Sequence, residues 1–100
     1  MNIQQLMKQA QSMQADLEKV EHELSVKETT VEAQGIKLTM NGKFELVHVS
    51  IDPQLLTPEY KEMIEDILSM NLNKLTKQIQ QERAEAMGTL TQGLKIPGVL

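Results

Sequence analysis

Apolar residues recur at helical spacing through the first quarter of the chain, at Ile3, Leu6, Met7, Ala10, Met13, Leu17, Val20 and Leu24. From Leu6 onward the steps are 4, 3, 4, 3 and 4, a heptad seam of about three repeats. The predicted helix runs roughly from Asn2 to Ser25 and is about 35 Å long. It outreaches the small sheet that follows, so its N-terminal half must project. The seam fits an ordinary amphipathic core helix and an intermolecular coiled seam equally well.

From Lys27 to Gln34 the period falls to two, with Thr29, Val31 and Ala33 alternating with Glu28, Thr30 and Glu32. Beyond Gly35 the apolar set Ile36, Leu38, Met40 is one residue out of phase, which signals a bulge or a tight turn. Three short strands, or two with the first kinked, both satisfy the pattern. Asn41-Gly42 is the dipeptide best suited to a two-residue type I′ hairpin turn, in which both residues take φ > 0. Closing the hairpin there sets Met40 against Lys43, Leu38 against Glu45 and Ile36 against Val47. One face then carries Ile36, Leu38, Met40, Val47, Val49 and Ile51, and the other carries Phe44, Leu46 and His48. Apolar Phe44 and Leu46 on that second face are most economically buried by another chain.

Asp52-Pro53-Gln54-Leu55-Leu56 leads out of the hairpin as a turn. Thr57, Pro58, Glu59 and Glu62 then open a second helix as N-cap, first helical residue and first-turn acids. Its apolar positions run from Tyr60 through Met63, Ile64, Ile67, Leu68, Leu72, Leu75 and Ile79 to Ala86. The expected end is Met87, with Gly88 at C′. The fold class is α+β: long N-terminal helix, small antiparallel sheet (hairpin or meander), long C-terminal helix. Residues 1–88 form one expected domain, and residues 89–100, holding Gly93 and Pro97-Gly98, a flexible tail.

One hundred residues suit a single domain, but two aromatics and no Trp leave a thin core, and thin cores lean on oligomerisation. The absence of Cys removes disulfides, thiolate metal sites and a cysteine nucleophile, and fits a reducing cytoplasm. Met1 to Gln5 carries no basic stretch ahead of an apolar run, so no signal peptide is expected. No apolar run approaches the roughly 20 residues of a membrane span.

A net charge of −4 argues, taken whole, against nucleic-acid binding. The distribution changes that picture. All fourteen acids lie outside residues 1–15 and 67–81, windows that hold Lys8, Lys74 and Lys77. With one helix running into the sheet and the other out of it, both windows are expected on helical arms remote from the sheet. The acids then gather toward the sheet, although Glu82 and Glu85, offset only by Arg83, limit the separation.

His22 sits among acids and His48 on a strand, with no Cys or paired His at metal-binding spacing, so both read as surface residues. No nucleophile–base pair, phosphate loop or metal constellation is present, so neither an enzyme nor a cofactor is expected.

Three stretches now carry a resemblance: Leu6-Met7-Lys8-Gln9-Ala10-Gln11-Ser12-Met13-Gln14, Asn41-Gly42, and Val49-Ser50-Ile51-Asp52-Pro53-Gln54-Leu55-Leu56. With the tail from Met87 to Gly98, they resemble the YbaB/EbfC family of bacterial nucleoid-associated proteins, in order and over nearly the whole chain. The departure lies at Ala33-Gln34-Gly35, where family members usually carry a longer Gly-rich connection.

The resemblance implies a tweezer-like homodimer whose paired helical prongs hold double-stranded DNA with weak or broad specificity. It also implies chromosome organisation and effects on gene regulation in the cytoplasmic nucleoid, with no catalysis, membrane or small-molecule substrate. Lys8 falls in a matched motif and is carried over as a phosphate contact. Lys74, Lys77 and Arg83 are expected contacts from the charge layout, and Gln4, Gln5 and Gln11 add hydrogen bonds. The expected dimer contact is Phe44 and Leu46, with Ile36, Leu38, Val47 and Val49 of the hairpin. A prefoldin-like chaperone gripping unfolded chains by its helical tips, or a dimer that bridges proteins, is the alternative. About three heptads is short for the chaperone's coils.

Overall fold

A computed structural model describes residues 2–92. Helix α1 (Ile3–Val26) is followed by strands β1 (Glu28–Ala33), β2 (Ile36–Asn41) and β3 (Leu46–Ile51). Two short 3₁₀ turns, Pro53–Leu55 and Pro58–Tyr60, lead into helix α2 (Lys61–Gln92). The strands form an antiparallel meander in the order β1-β2-β3. The α+β class stands, and the phase slip at Gly35 marks a strand boundary, as the three-strand pattern requires.

The two hairpins divide the turn chemistry differently from the expectation. Gln34 and Gly35 take φ of 51° and 84° between paired Ala33 and Ile36, so the two-residue turn with both φ positive lies here. Asn41-Gly42 opens a longer loop instead. Phe44 N–H donates to the Asn41 carbonyl at 3.1 Å and Asn41 N–H to the Glu45 carbonyl at 3.0 Å. The Asn41 side-chain oxygen accepts from the backbone N–H of Lys43 at 2.9 Å and of Glu45 at 3.1 Å. The positive φ of this loop, 64°, falls on Phe44. Asn41 thus serves the loop with its side chain.

This loop moves the register. Ile36 pairs with Ile51, Leu38 with Val49 and Thr39 with His48, while Met40 pairs with Leu46. Val47 is skipped, so two residues of β3 oppose one of β2, a bulge that corrects the expected pairs. Leu46 consequently stands opposite Met40, on the core side of the sheet, and not with His48.

Ile67, Leu75 and Ile79 of α2 pack with Val31, Ile36, Leu38 and Met40 to make the buried core. Their spacing continues through Asn71, which is buried in the same stripe and reaches the Ile36 carbonyl at a long 3.5 Å. α2 covers β1 and β2, and β3 is exposed from Leu46 to Ser50. The other face of the sheet carries polar side chains, among them Thr30 and Thr39, whose hydroxyls meet at 2.8 Å.

Both ends of α2 depart from expectation. Thr57 makes no side-chain cap, because Pro58–Tyr60 winds first as a 3₁₀ turn and α2 begins at Lys61. At the other end α2 continues through Gly88 to Gln92, so Gly88 is not a C′ stop. A glycine costs an exposed helix only about 1 kcal/mol, which neighbouring helical turns offset. The flexible-tail expectation for the last eight residues, 93–100, lies outside the described residues.

Candidate nucleic-acid interface and dimer face

Asn2 caps α1, its side-chain oxygen accepting from Gln4 N–H at 2.8 Å. Every residue from Asn2 to Ser12 is exposed, and the described body is 70 Å long but only 24 by 12 Å across. Six-residue strands reach about 20 Å, so that length comes from the helices. Near its C-terminus α1 meets the body beside the β2–β3 loop, through Glu21 and the Leu24 backbone. Its first half is an arm, as its length predicts.

α2 is laid out otherwise. Asn71 lies beside Ile36 and Arg83 beside Gly42, so the helix runs along β2 and passes the hairpin tip only after Arg83. The acid-free window 67–81 therefore rests on the sheet, not on an arm. Burial of Ile67, Asn71, Leu75 and Ile79 turns Lys77 directly outward and Lys74 to the flank, both exposed.

The arm is rooted by charge. Arg83 Nη1 donates to the Gly42 carbonyl at 2.9 Å, and Nη2 donates to both carboxylate oxygens of Glu21, each at 2.5 Å. The hydrogen bonding from Arg83 holds the Glu21 carboxyl below the usual glutamate range; desolvation opposes it and the guanidinium charge adds to it. Lys27 and Glu82 add an exposed ion pair at 3.1 Å. Glu21 stands 62 residues from Arg83, so no local pattern could have disclosed the pair.

The expected DNA contacts therefore separate into three places. Lys8, Gln4, Gln5 and Gln11 are exposed on the arm of α1. Lys74 and Lys77 are exposed on the outer surface of α2. Arg83 is turned inward, its side chain only 24% exposed.

The expected dimer contact also divides. Ile36 and Leu38 are 0% and 1% exposed under α2 and offer a partner no surface. Phe44, Leu46, Val47 and Val49 are 41–47% exposed, apolar side chains along the β2–β3 loop and the edge strand β3. The opposite edge, β1, instead carries exposed Glu28 and Glu32. Among the described residues no helix is long and apolar enough to cross a membrane.

Comparison with known proteins agrees with this architecture. A nucleoid-associated protein of Clostridium novyi is 41% identical over 101 residues, spanning 99% of this chain and 89% of that one. One from Mycoplasmopsis pulmonis is 38% identical over 97 residues, spanning 97% of this chain and 96% of its own. The crystal structure of an uncharacterized protein from Helicobacter pylori superposes with a TM-score of 0.76 at 25% identity, over 91% of this chain and 98% of that one. The family model of the YbaB/EbfC DNA-binding family matches residues 1–94. On that match and these identities, the chain belongs to the YbaB/EbfC DNA-binding family.

Proposed function

We propose that the protein is a nucleoid-associated factor that binds duplex DNA as a homodimer, with weak or broad sequence specificity. Chromosome organisation and an influence on gene expression follow from such binding, and no catalytic step is assigned. The observation that carries this reading is the α1 arm: residues 2–15 hold no acid and place Lys8 among exposed glutamines away from the acidic body. Lys74 and Lys77 extend the cationic surface along α2. The exposed apolar side chains of β3 supply the dimer contact, which doubles the number of arms.

With few cations per subunit, the electrostatic part of binding is small and salt-sensitive. Each lysine that meets a phosphate should contribute about one unit to the slope of log affinity against log salt in each subunit that uses it. Gel mobility shifts of a mixed-sequence duplex across a salt series test this with wild type, K8E and the pair K74E with K77E. Weaker binding and a shallower slope are expected in both variants. Equal affinity in all three proteins would overturn the reading.

A further inference from the structure

We propose that Arg83 is a positioning residue that fixes the angle at which the α1 arm leaves the body, and through that angle the grip on duplex DNA. The second half rests on the function proposed above. The first half stands on geometry alone.

Three elements meet at the Arg83 guanidinium. It projects from α2, donates to the Gly42 carbonyl in the β2–β3 loop, and donates to both carboxylate oxygens of Glu21 on α1. One planar group thus ties the hairpin tip and the arm to the same helix. A fork of fixed donors defines direction as well as distance, which the point charge of lysine does not. To meet a phosphate, the side chain would have to abandon both partners.

Two further ties described near this root are less directional. The end of α1 touches Gly42 through the Leu24 backbone, which limits approach but not rotation. The Lys27–Glu82 pair joins side chains 57% and 37% exposed, where water competes for both charges. N-terminal to this root, the arm from Asn2 to Ser12 is exposed throughout.

The arm works as a lever. Lys8 lies thirteen residues from Glu21, about 20 Å along the helix. A swing of about 10° at the root moves Lys8 by about 3–4 Å, longer than a hydrogen bond and enough to lose a phosphate contact. An arm free to swing must be ordered on binding, and that ordering lowers affinity without removing any contact.

The native chain has no Cys, so nitroxide labels can be placed at Gln5→Cys and Glu32→Cys, both exposed, on arm and sheet. Pulsed electron resonance is read without DNA and with excess unlabelled protein, so that only distances within one chain count. Wild type should give one narrow distance. R83Q and E21Q should shift or broaden it by several Å, and R83K, which keeps the charge but not the fork, should do the same. Thermal melts set a temperature at which each variant is folded, with R83K replacing R83Q if the latter melts too low.

Duplex affinity should fall about three- to tenfold in both R83Q and E21Q, the loss expected when an arm must be ordered on binding. The salt slope should not change, because no phosphate contact is removed. A direct phosphate contact by Arg83 predicts otherwise: a shallower slope in R83Q, and tighter binding in E21Q, which removes an acid and frees the guanidinium. That pattern, or arm distances unchanged in all variants, overturns the proposal. A wild type that binds no duplex overturns the functional reading and its link to Arg83, while the distances still decide the arm angle.

Discussion

The carbonyl oxygen of Leu24 lies 1.7 Å from the point a Cβ on Gly42 would occupy. The last turn of α1 therefore rests against bare backbone at the tip of the β2–β3 hairpin. The carbonyl carbon of Leu24, at 2.5 Å, and the Cα of Ser25, at 3.0 Å, crowd the same point. All three are backbone atoms that cannot turn aside as a side chain would. G42A should lower stability by about 3 kcal/mol, the upper end of overpacking costs. Thermal melts would show this as a fall of roughly 10–20 °C in Tm. G88A is the control, since a Cβ there meets nothing within 4 Å, and Tm should hold or rise.

At the other hairpin the demand is conformational. Gln34 holds φ of 51° and Gly35 φ of 84°. A side chain other than Gly, Asn or Asp costs about 1–2 kcal/mol in this region. Q34N should therefore raise stability by up to about 1 kcal/mol. G35A should lower it by more than that, because its Cβ also meets Leu55 Cδ1 at 3.0 Å and Asp52 Cβ at 3.1 Å. Urea titrations of the two variants should move the midpoint in opposite directions.

Leu46 and Val49 are each 45% exposed on an edge strand that also exposes Val47. Lysine at both positions keeps its charge in water in a lone chain, so folding should change by about 0.5 kcal/mol or less per site. Burial in a homodimer would bring those charges together without partners. Light scattering should give wild type twice the chain mass of 11.3 kDa and L46K with V49K a single chain mass. A double variant that remains dimeric would move the contact away from β3.

Acid should loosen the root of the arm. Arg83 holds the folded-state pKa of Glu21 below the ordinary glutamate value of 4.5. The carboxylate's contribution is then complete above that ordinary value and is lost as pH falls through the lowered folded value. Melts of wild type and E21Q should differ most near neutral pH and converge once the pH has fallen below that lowered value. Lys61, raised by its hydrogen bond to Glu65, has the opposite sign and loses its contribution only as pH climbs past 10.5. That pair is exposed, so its effect should be small.

Helices, strands and their order were legible because each rests on periodicity within a short window. Leu6 to Leu24 repeats at helical spacing, and the phase change at Gly35 marks a strand boundary. Turn identity was legible only in part. Asn41-Gly42 carries the strongest local hairpin signal in the chain, yet Gly42 is required by Leu24, a residue on another element. Once Gly42 serves that contact, Asn41 caps a longer loop, Val47 bulges, and Leu46 changes face.

The candidate site divides along the same line. Lys8 and its glutamines lie on the arm where helix length alone puts them. Lys74 and Lys77 were expected on an arm because their window lacks acids, but Leu75 and Ile79 hold that window against the sheet. Arg83 reads as a surface cation in the sequence, but Glu21 and the Gly42 carbonyl engage it in the fold.

By itself, then, the sequence determined the element order, the projecting first helix and the uneven charge, since these depend on spacing and composition along the chain. Only the tertiary structure decided the hairpin register, the path of α2 along β2 and the inward turn of Arg83. Each of those depends on contacts between residues far apart in sequence. Their energies are fixed by the distance of approach between elements, which no local pattern encodes.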